Sequence, residues 1–509
     1  VARFYLTTAI DYSNGDPHLG HALEKVGADA IARWRRLRGD DVRFLMGMDE
    51  HAQSVVQAAA AGGISPQAWV DRMAATFAGF WTRLSTSHDD WIRTTEPRHA
   101  RAVTALLRRI RERRPDHVFL AEYEGLYCTG CEEFKQESQI VDGRCVEHPG
   151  LELVPTREEN HYFRLSAYRD EMLARIESDA FRVRPEIRRN EVLGLLRAGL
   201  QDISISRQRR PWGIPFPDDP GHTVYVWFDA LINYLAATGY PDAGYERIWP
   251  ADLHVIGKGI TRFHCVIWPA MLLAAGVELP REVWAHGYVQ WEGAKMSKTA
   301  GTAVSLATAL ERHGSEALRY FLLREIGFEN DGNFTWERFD ARYTADLADT
   351  LGNLVSRSLA MIHRYRGGTI PAGQVDPALE RDARAALTAY EAALDACDLS
   401  DGAARMIELA ARANRYVEEH APWKLAKDAA AAAALDGVLA TLARTVARLA
   451  VLASPYTPEK AAQIWDALGT GRPIGALRWS DVQEPALAGR RVAQPPILYP
   501  KPASSVVSR

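Results

Sequence analysis

The sequence predicts an α/β protein in which a parallel sheet is split by an inserted domain and followed by an all-α bundle. Three observations predict it. From Arg3 to about Pro115, strand-like apolar runs (Phe4 to Thr7, Val42 to Met46) alternate with helical periods, as a parallel sheet with crossover helices requires. From Asp116 to His222 the alternation breaks into short pieces bearing Gly and Cys, and strand-like runs then resume at Thr223 to Phe228, Leu253 to Ile256 and Val283 to Val289. From about Asp346 onward the apolar stripes have helical spacing, as in Val438, Leu442, Val446 and Leu449, which marks the core of a helix bundle. The boundaries that follow are 1–115, 116–222, 223–280, 281–345 and 346–509, the last ending in an extended tail from Pro495.

Composition narrows the class. With 47% hydrophobic and 25% charged residues the chain is an ordinary globular protein, and at 509 residues it has surface enough for several domains. Its net charge of −4 means that any nucleic acid must be met by local basic faces. Arg101 to Arg114 and Arg182 to Arg210 are the candidates, and each reads equally as a solvated helix face. No signal peptide is read ahead of Arg3. The longest apolar stretch, Cys265 to Val277, is broken by Pro269 and falls short of the roughly 20 residues a membrane span needs. A cytoplasmic protein without membrane contact is expected.

Five cysteines, three of them between Cys128 and Cys145, speak against a secreted disulfide scaffold and for a metal site. Cys128-x2-Cys131 and Cys145-x2-His148 have the spacing of a zinc knuckle with four protein ligands. Such a set closes one tetrahedral Zn²⁺ and keeps no open position, so the metal would be structural. His148 is the weakest member, and buried cysteines with a solvent-facing His148 remain the alternative.

Two short runs carry the chemistry. In His18-Leu19-Gly20-His21, Asp16 is placed to cap a helix starting at Pro17, whose apolar side runs through Leu19, Leu23, Val26, Ala30, Trp34 and Leu37 to a stop at Gly39. Its first N–H groups and dipole favour phosphate. His18 and His21 share a face, and Gly20 leaves the backbone open to an adenine ring. The same run would serve as two capping histidines on a plain βα turn. The second run, Lys295-Met296-Ser297-Lys298-Thr299, holds two of only nine lysines in the chain, and Gly293 and Gly301 flank it as in a segment that closes and reopens.

Together these runs resemble the HIGH and KMSKS signatures of class I aminoacyl-tRNA synthetases. Thr7-Thr8-Ala9-Ile10-Asp11-Tyr12, Met48-Asp49-Glu50-His51, Glu122 to Cys128, Ile203 to Arg207, Trp212-Gly213-Ile214-Pro215, Tyr225 to Ala230 and His254 to Lys258 resemble the methionyl family of that class over nearly the whole chain. The resemblance implies a split Rossmann-like sheet, a zinc-knuckle connective domain, a stem-contact region with the lysine loop, and a helical anticodon-binding domain. It implies that methionine and ATP form methionyl-adenylate, and that the methionyl group passes to the 2′-hydroxyl of the terminal adenosine of initiator and elongator tRNA(Met). His18, His21, Lys295 and Lys298 would act on the phosphates, with Gly20, Gly257, Met296 and Ser297 also at ATP and Mg²⁺ sharing its charge. Ile10, Tyr12, Trp227, Ala230, Tyr234, Ile260, Phe263, His264 and Trp268 would line the methionine pocket, and Asp49 would hold the ammonium group. Aromatic walls suit a thioether, at about 0.3–1.5 kcal/mol per sulfur–ring contact, with the Tyr12 hydroxyl and His264 ring approaching the sulfur. Asn353, Arg357 and Trp423 would read the anticodon, and a single monomer would suffice.

Two departures stand out. The family commonly has an acidic residue after Gly257-Lys258 to meet the ATP ribose, where this chain has Gly259. Asp11 and Ala52 stand where the family has uncharged residues or Gly, which implies a changed pocket rim. A small-molecule nucleotidylyltransferase would share the His-x-Gly-His element but needs neither the lysine loop nor the helical domain. A zinc-dependent RNA-binding protein that had lost catalysis would not retain all four histidines and lysines.

Overall fold

The computed structural model describes residues 2–128, 133–135, 137–146, 149–208, 211–291, 293–295, 304–327, 329–494 and 497–501. Its centre is a seven-stranded parallel sheet. The strands are β1 (Arg3–Thr8), β2 (Asp11–Tyr12), β3 (Asp41–Asp49), β4 (Asp90–Arg93), β10 (Arg182–Arg184), β15 (Leu253–Gly257) and β16 (Glu282–His286). They lie in the order β10-β16-β15-β1-β3-β2, with β4 also paired to β3. Runs such as Tyr5 to Thr8 and Phe44 to Asp49 are buried on both faces, as expected where helices cover both sides.

Between the two halves of this sheet the chain builds antiparallel sheets. One holds β5 (Val118–Cys128), β6 (Glu133–Lys135), β9 (Val154–Phe163) and β11 (Ile203–Ser204); another holds β12 (Ser206–Gln208), β13 (Pro215–Phe216) and β14 (Asp219–Val224). β7 (Ile140–Val141) and β8 (Arg144–Cys145) form a small hairpin. After β16, β17 (Val289–Trp291), β18 (Ala294–Lys295) and β19 (Gly332–Phe334) make a separate three-stranded sheet. The remainder is a bundle including the helices Asn353–Arg366, Pro377–Asp395, Leu399–His420 and Ala432–Ala453, whose core is continuous with that on one side of the parallel sheet.

Several expectations are corrected. The run 116–222 is not wholly apart from the central sheet, because β10 returns to pair with β16. Thr223 to Phe228 is strand only as far as Val224; Val226–Leu231 is a helix, since burying Val226, Phe228 and Ala230 together with Asp229 outweighs the β preference of its aromatic and branched residues. Val283 to Val289 divides at Gly287-Tyr288 between two sheets. The segment after Pro495 is not wholly an extended tail, since Leu498 and Tyr499 are buried and the Tyr343 hydroxyl donates to the Pro500 carbonyl at 2.6 Å.

One ionic contact rivets the halves together. Arg319, on the helix Ser315–Glu325, is fully buried and donates to Asp29 of the first helix at 2.7 Å, and to the carbonyls of Leu84, Pro455 and Tyr456. Burial alone would raise the Asp29 carboxyl, but Arg33 and Arg319 hold it well below the usual carboxylate range.

Candidate active site

β1 and β15 are neighbours whose following connections lead to opposite edges of the sheet, β1 toward β3 and β15 toward β16. In an open α/β sheet that switch in direction opens a crevice at the carboxyl ends of the two strands, where ligands bind. Two groups of predicted site residues flank it: the turn after β1 with the helix Leu19–Arg38, and Gly257 to Phe263 after β15.

The helix begins differently from the expectation. Its N-cap is His18 rather than Asp16, and Pro17 lies outside it. The His18 Nδ1 accepts the Gly20 N–H at 3.1 Å, and the His21 Nδ1 accepts the His18 N–H at 3.1 Å. A backbone N–H only donates, so each Nδ1 is an acceptor and each neutral ring carries its proton on Nε2. The caps set the tautomer that makes both rings Nε2–H donors, so capping does not compete with a donor role for either ring. A Cβ on Gly20 would lie 2.9 Å from the His18 ring, so the absence of a side chain here makes room for that ring.

The lysine-bearing run lies largely outside the described residues: Met296, Ser297 and Lys298 are beyond them, and Lys295 is placed only as part of β18. The anchors of this segment are described. β18 pairs with β17 on one side, and on the other Ser305 forms an antiparallel bridge with His18. Ser305, which follows that run in the chain, thus lies beside the first signature run.

Beside it lies an aromatic cluster. Tyr12 meets Trp227 edge to face at 5.4 Å, and Trp227 stacks on Phe263 at 4.1 Å. Tyr12 pairs in register with Asp49, which is buried at the end of β3. Ala230, Tyr234, His264 and Trp268 are buried in the wall, with Ile10 and Ile260 packed against the same core. Phe263 and His264 open a π-type turn, Phe263–Ile267, whose extra width redirects side chains at a helix start.

Both nitrogens of the His264 ring, expected to approach the sulfur, have protein partners. Its Nδ1–H donates to the Ile260 carbonyl at 3.0 Å, and its Nε2 accepts the Tyr234 hydroxyl at 2.7 Å. Burial pushes this imidazole down to about 4 and the Tyr234 hydroxyl well up, so both stay neutral and the bond holds across working pH. His264 positions Tyr234.

Asp11 and Ala52 are not at a rim. Ala52 is buried beside Val55, Val70 and Val226. Asp11 pairs inside with Lys25 at 2.9 Å, and Lys25 also donates to Glu24 and to the Ala9 carbonyl, both at 2.7 Å. Burial pushes the Asp11 carboxyl up to about 7 against the pull of Lys25. Glu24 in turn faces His286 at 3.2 Å, so this charged cluster braces the turn after β1 against the end of β16.

Some residues of this site have no local signal. His51 and His99 both bond Asp229, His51 at 2.6 Å, and so pin the helix carrying Trp227 and Ala230 to the end of β3. These three residues are far apart in sequence, and only the fold makes them one unit. Tyr288 is a second case: a Cβ at position 259 would lie 2.2 Å from its hydroxyl oxygen.

Away from the crevice, two of the four expected metal ligands, Cys128 and Cys145, are buried thiols, at the end of β5 and in β8. Cys131 and His148 lie outside the described residues. Asn353 is exposed, and Arg357 pairs with Glu418 at 2.7 Å, just before the turn that leads to Trp423. Trp423 is 36% exposed, which sets aside a core role for it. The basic helix Pro97–Arg113 spends much of its charge internally: Arg101 pairs with Asp242, Arg108 and Arg111 with Asp218, and Arg109 bonds the Ala275 carbonyl. Among the described residues no helix is long and apolar enough to cross a membrane.

Comparison with known families decides the class. The family model for class I tRNA synthetases of the methionyl type matches residues 4–149 and 150–359, and that for the anticodon-binding domain of methionyl tRNA ligase matches 367–504. The chain belongs to the methionyl-tRNA synthetase family. The methionine–tRNA ligase of Streptomyces coelicolor is 39% identical over 521 residues, covering 98% of this chain and 96% of that protein. That of Bacillus subtilis is 41% identical over 482 residues, covering 90% and 72%. The Mycobacterium tuberculosis methionyl-tRNA synthetase bound by methionyl-adenylate superimposes with a TM-score of 0.93 at 39% identity, covering 98% of this chain and all of that one. Its ligand-free form gives 0.87 at 36% identity over 99% of this chain and 98% of that one. As a methionyl-tRNA synthetase, the chain joins methionine to ATP as methionyl-adenylate with release of pyrophosphate. It then transfers the methionyl group to the terminal adenosine of tRNA(Met), releasing AMP.

Proposed function

We propose that methionine activation takes place in the crevice between β1 and β15, with the His18 and His21 Nε2–H groups donating to the phosphates of ATP. The bridge between His18 and Ser305 carries this reading, because it ties the lysine-bearing segment to the same helix start. Lys295 and Lys298 neutralise the leaving pyrophosphate, Met296 and Ser297 lie along the nucleotide with Gly20 and Gly257, and Mg²⁺ enters with ATP. The reaction asks for positioning and charge stabilisation more than covalent help. The methionine carboxylate attacks the α-phosphorus, and pyrophosphate leaves on the opposite side.

Methionine lies against Ile10, Tyr12, Trp227, Ala230, Tyr234, Ile260, Phe263, His264 and Trp268, with its ammonium group at Asp49. The ribose partner missing at Gly259 is Tyr288. Its hydroxyl stands where a side chain at 259 would begin, and its ring lies 4.7 Å from the Lys258 ammonium, which Asp331 holds at 2.7 Å. Tyr288→Phe is therefore expected to raise the ATP KM in pyrophosphate exchange about 5- to 30-fold, as loss of one hydrogen bond of about 1–2 kcal/mol does. The methionine KM stays within twofold. An unchanged ATP KM would move the ribose contact elsewhere.

One structural Zn²⁺ is held by Cys128, Cys131, Cys145 and His148; the burial of both described thiols fits a closed knuckle, whose binding energy stabilises the insert. Asn353, Arg357 and Trp423 read the anticodon. Trp423 is exposed enough to stack an unpaired base, typically worth about 1–3 kcal/mol. Trp423→Ala should weaken tRNA charging roughly tenfold or more, with adenylate formation unchanged; equal loss in both assays would make Trp423 structural. By function the chain is divided at 1–115, 116–222, 223–280, 281–345 and 346–509, with β10 of the second region lent to the central sheet, and the enzyme acts as a cytoplasmic monomer.

A further inference from the structure

We propose that His161, Asp219 and His222 form a second metal site, separate from the cysteine knuckle, for a divalent transition-metal ion of the zinc class. The ligand atoms converge on one point: the His161 Nε2 lies 2.8 Å and the His222 Nδ1 2.9 Å from the same oxygen, Asp219 Oδ2. The other oxygen, Oδ1, accepts the Gly221 N–H. All three donors lie within 4.8 Å of one another.

Hydrogen bonding alone leaves this arrangement unsatisfied. The His222 Nε2 lies 2.9 Å from the Glu159 carbonyl, an acceptor only, so it carries the ring proton. In the neutral ring Nδ1 is then also an acceptor, facing a carboxylate oxygen at 2.9 Å. Two acceptors at that distance repel unless a second proton or a cation lies between them. The buried pair of histidines at Asp229 is built otherwise, since His51 and His99 each take a separate carboxylate oxygen and need one proton apiece.

The surroundings are those of a metal centre. The Glu159 carbonyl orients His222 through its outer nitrogen, as partners of metal-bound imidazoles do. His161 is held by a 4.0 Å stack on Phe216, and its backbone N–H by Ser206. The two imidazoles are 11% exposed and the carboxylate 34%, so an ion can enter and a water can complete its shell. Two imidazoles and one carboxylate suit zinc, and a tetrahedral site at 2.0–2.1 Å needs ligand atoms about 3.3 Å apart, an opening of about half an ångström from the present spacing. The ion would staple β9 of the insert to β14, which runs directly into the helix bearing Trp227 and Asp229.

The test compares the full-length chain with Asp219→Asn and His222→Ala in Zn²⁺ and Co²⁺ titrations followed by dialysis, metal analysis and thermal melting. The wild type is expected to hold one equivalent more than either variant, and added Zn²⁺ to raise its melting temperature but not theirs. Cys128→Ser should lose a different equivalent, the one whose Co²⁺ form shows thiolate charge-transfer absorption. Asp219→Asn guards against simple misfolding: its amide nitrogen donates to His222, so in chelator it should melt at or above the wild type. Equal metal content in wild type and both variants would overturn the site. So would a wild type whose melting temperature is indifferent to added Zn²⁺.

Discussion

His21→Asn is expected to lower methionine-dependent ATP–pyrophosphate exchange by about 10²–10³, the cost of losing one preorganised donor to developing charge. Methionine affinity should change less than twofold. The choice of Asn follows from the cap. The His21 Nδ1 accepts the His18 N–H, and an Asn carbonyl oxygen sits where Nδ1 sits, so the helix start is retained. The donor on the far side of the ring has no counterpart in Asn. Gln is the complementary probe, because its amide nitrogen reaches the place of Nε2; His21→Gln should recover a substantial part of the rate. Exchange kinetics with methionine and ATP varied separately distinguish the cases, since the loss should fall on kcat. Asn and Gln variants with equal activity would mean that His21 serves the helix cap alone.

Arg319→Met should destabilise the chain by about 3–5 kcal/mol, the usual result of removing one partner of a buried ion pair. The side chain is fully enclosed, and its loss takes one partner from the buried Asp29 carboxylate and strands the carbonyls of Leu84, Pro455 and Tyr456. Asp29 keeps Arg33 and the Ser87 hydroxyl, so the variant should fold at moderate temperature but melt earlier. The pH dependence has a definite sign. The folded Asp29 carboxyl lies below its unfolded value, so its stabilisation is present above the ordinary carboxylate range and is lost as pH falls below it. Arg319→Met should flatten that acid limb. Urea unfolding at pH 7 and at about pH 3, below the ordinary carboxylate range, measures both effects, and adding Asp29→Leu to Arg319→Met should restore part of the loss by removing the under-paired charge. A single variant as stable as wild type would mean that the contact does not hold the halves together.

Much of the fold was legible because it is encoded by local period. The apolar stripe from Leu19 to Leu37 became one helix ending at Gly39, and Phe4 to Thr7 and Val42 to Met46 became adjacent parallel strands. The candidate site was legible in a different way, through short runs whose residue types suit phosphate and thioether chemistry. What misled were positions where local preference and burial disagree. Tyr225 to Phe228 has strand-forming residues but turns helical, because a helix lets Asp229 reach His51 and His99. Asp11 looked like a rim residue because nothing near it in the chain announces Lys25 as an internal partner.

The residue order is enough to name the chemistry: which side chains are available to bind phosphate, thioether and metal, and which segments alternate or repeat at helical spacing. It does not say which available groups meet. Tyr288 and Gly259 lie on different strand ends, His222 and His161 on different sheets, and Arg319 and Asp29 are 290 residues apart. Their contacts depend on strand order and on the direction in which each connection leaves the sheet, which place distant segments side by side. The same geometry sets protonation, since a histidine's tautomer is chosen by whichever carbonyl, N–H or carboxylate the fold brings against it. The sequence supplied the reactive groups. Tertiary structure decided their partners, and through those partners which nitrogen carries the proton.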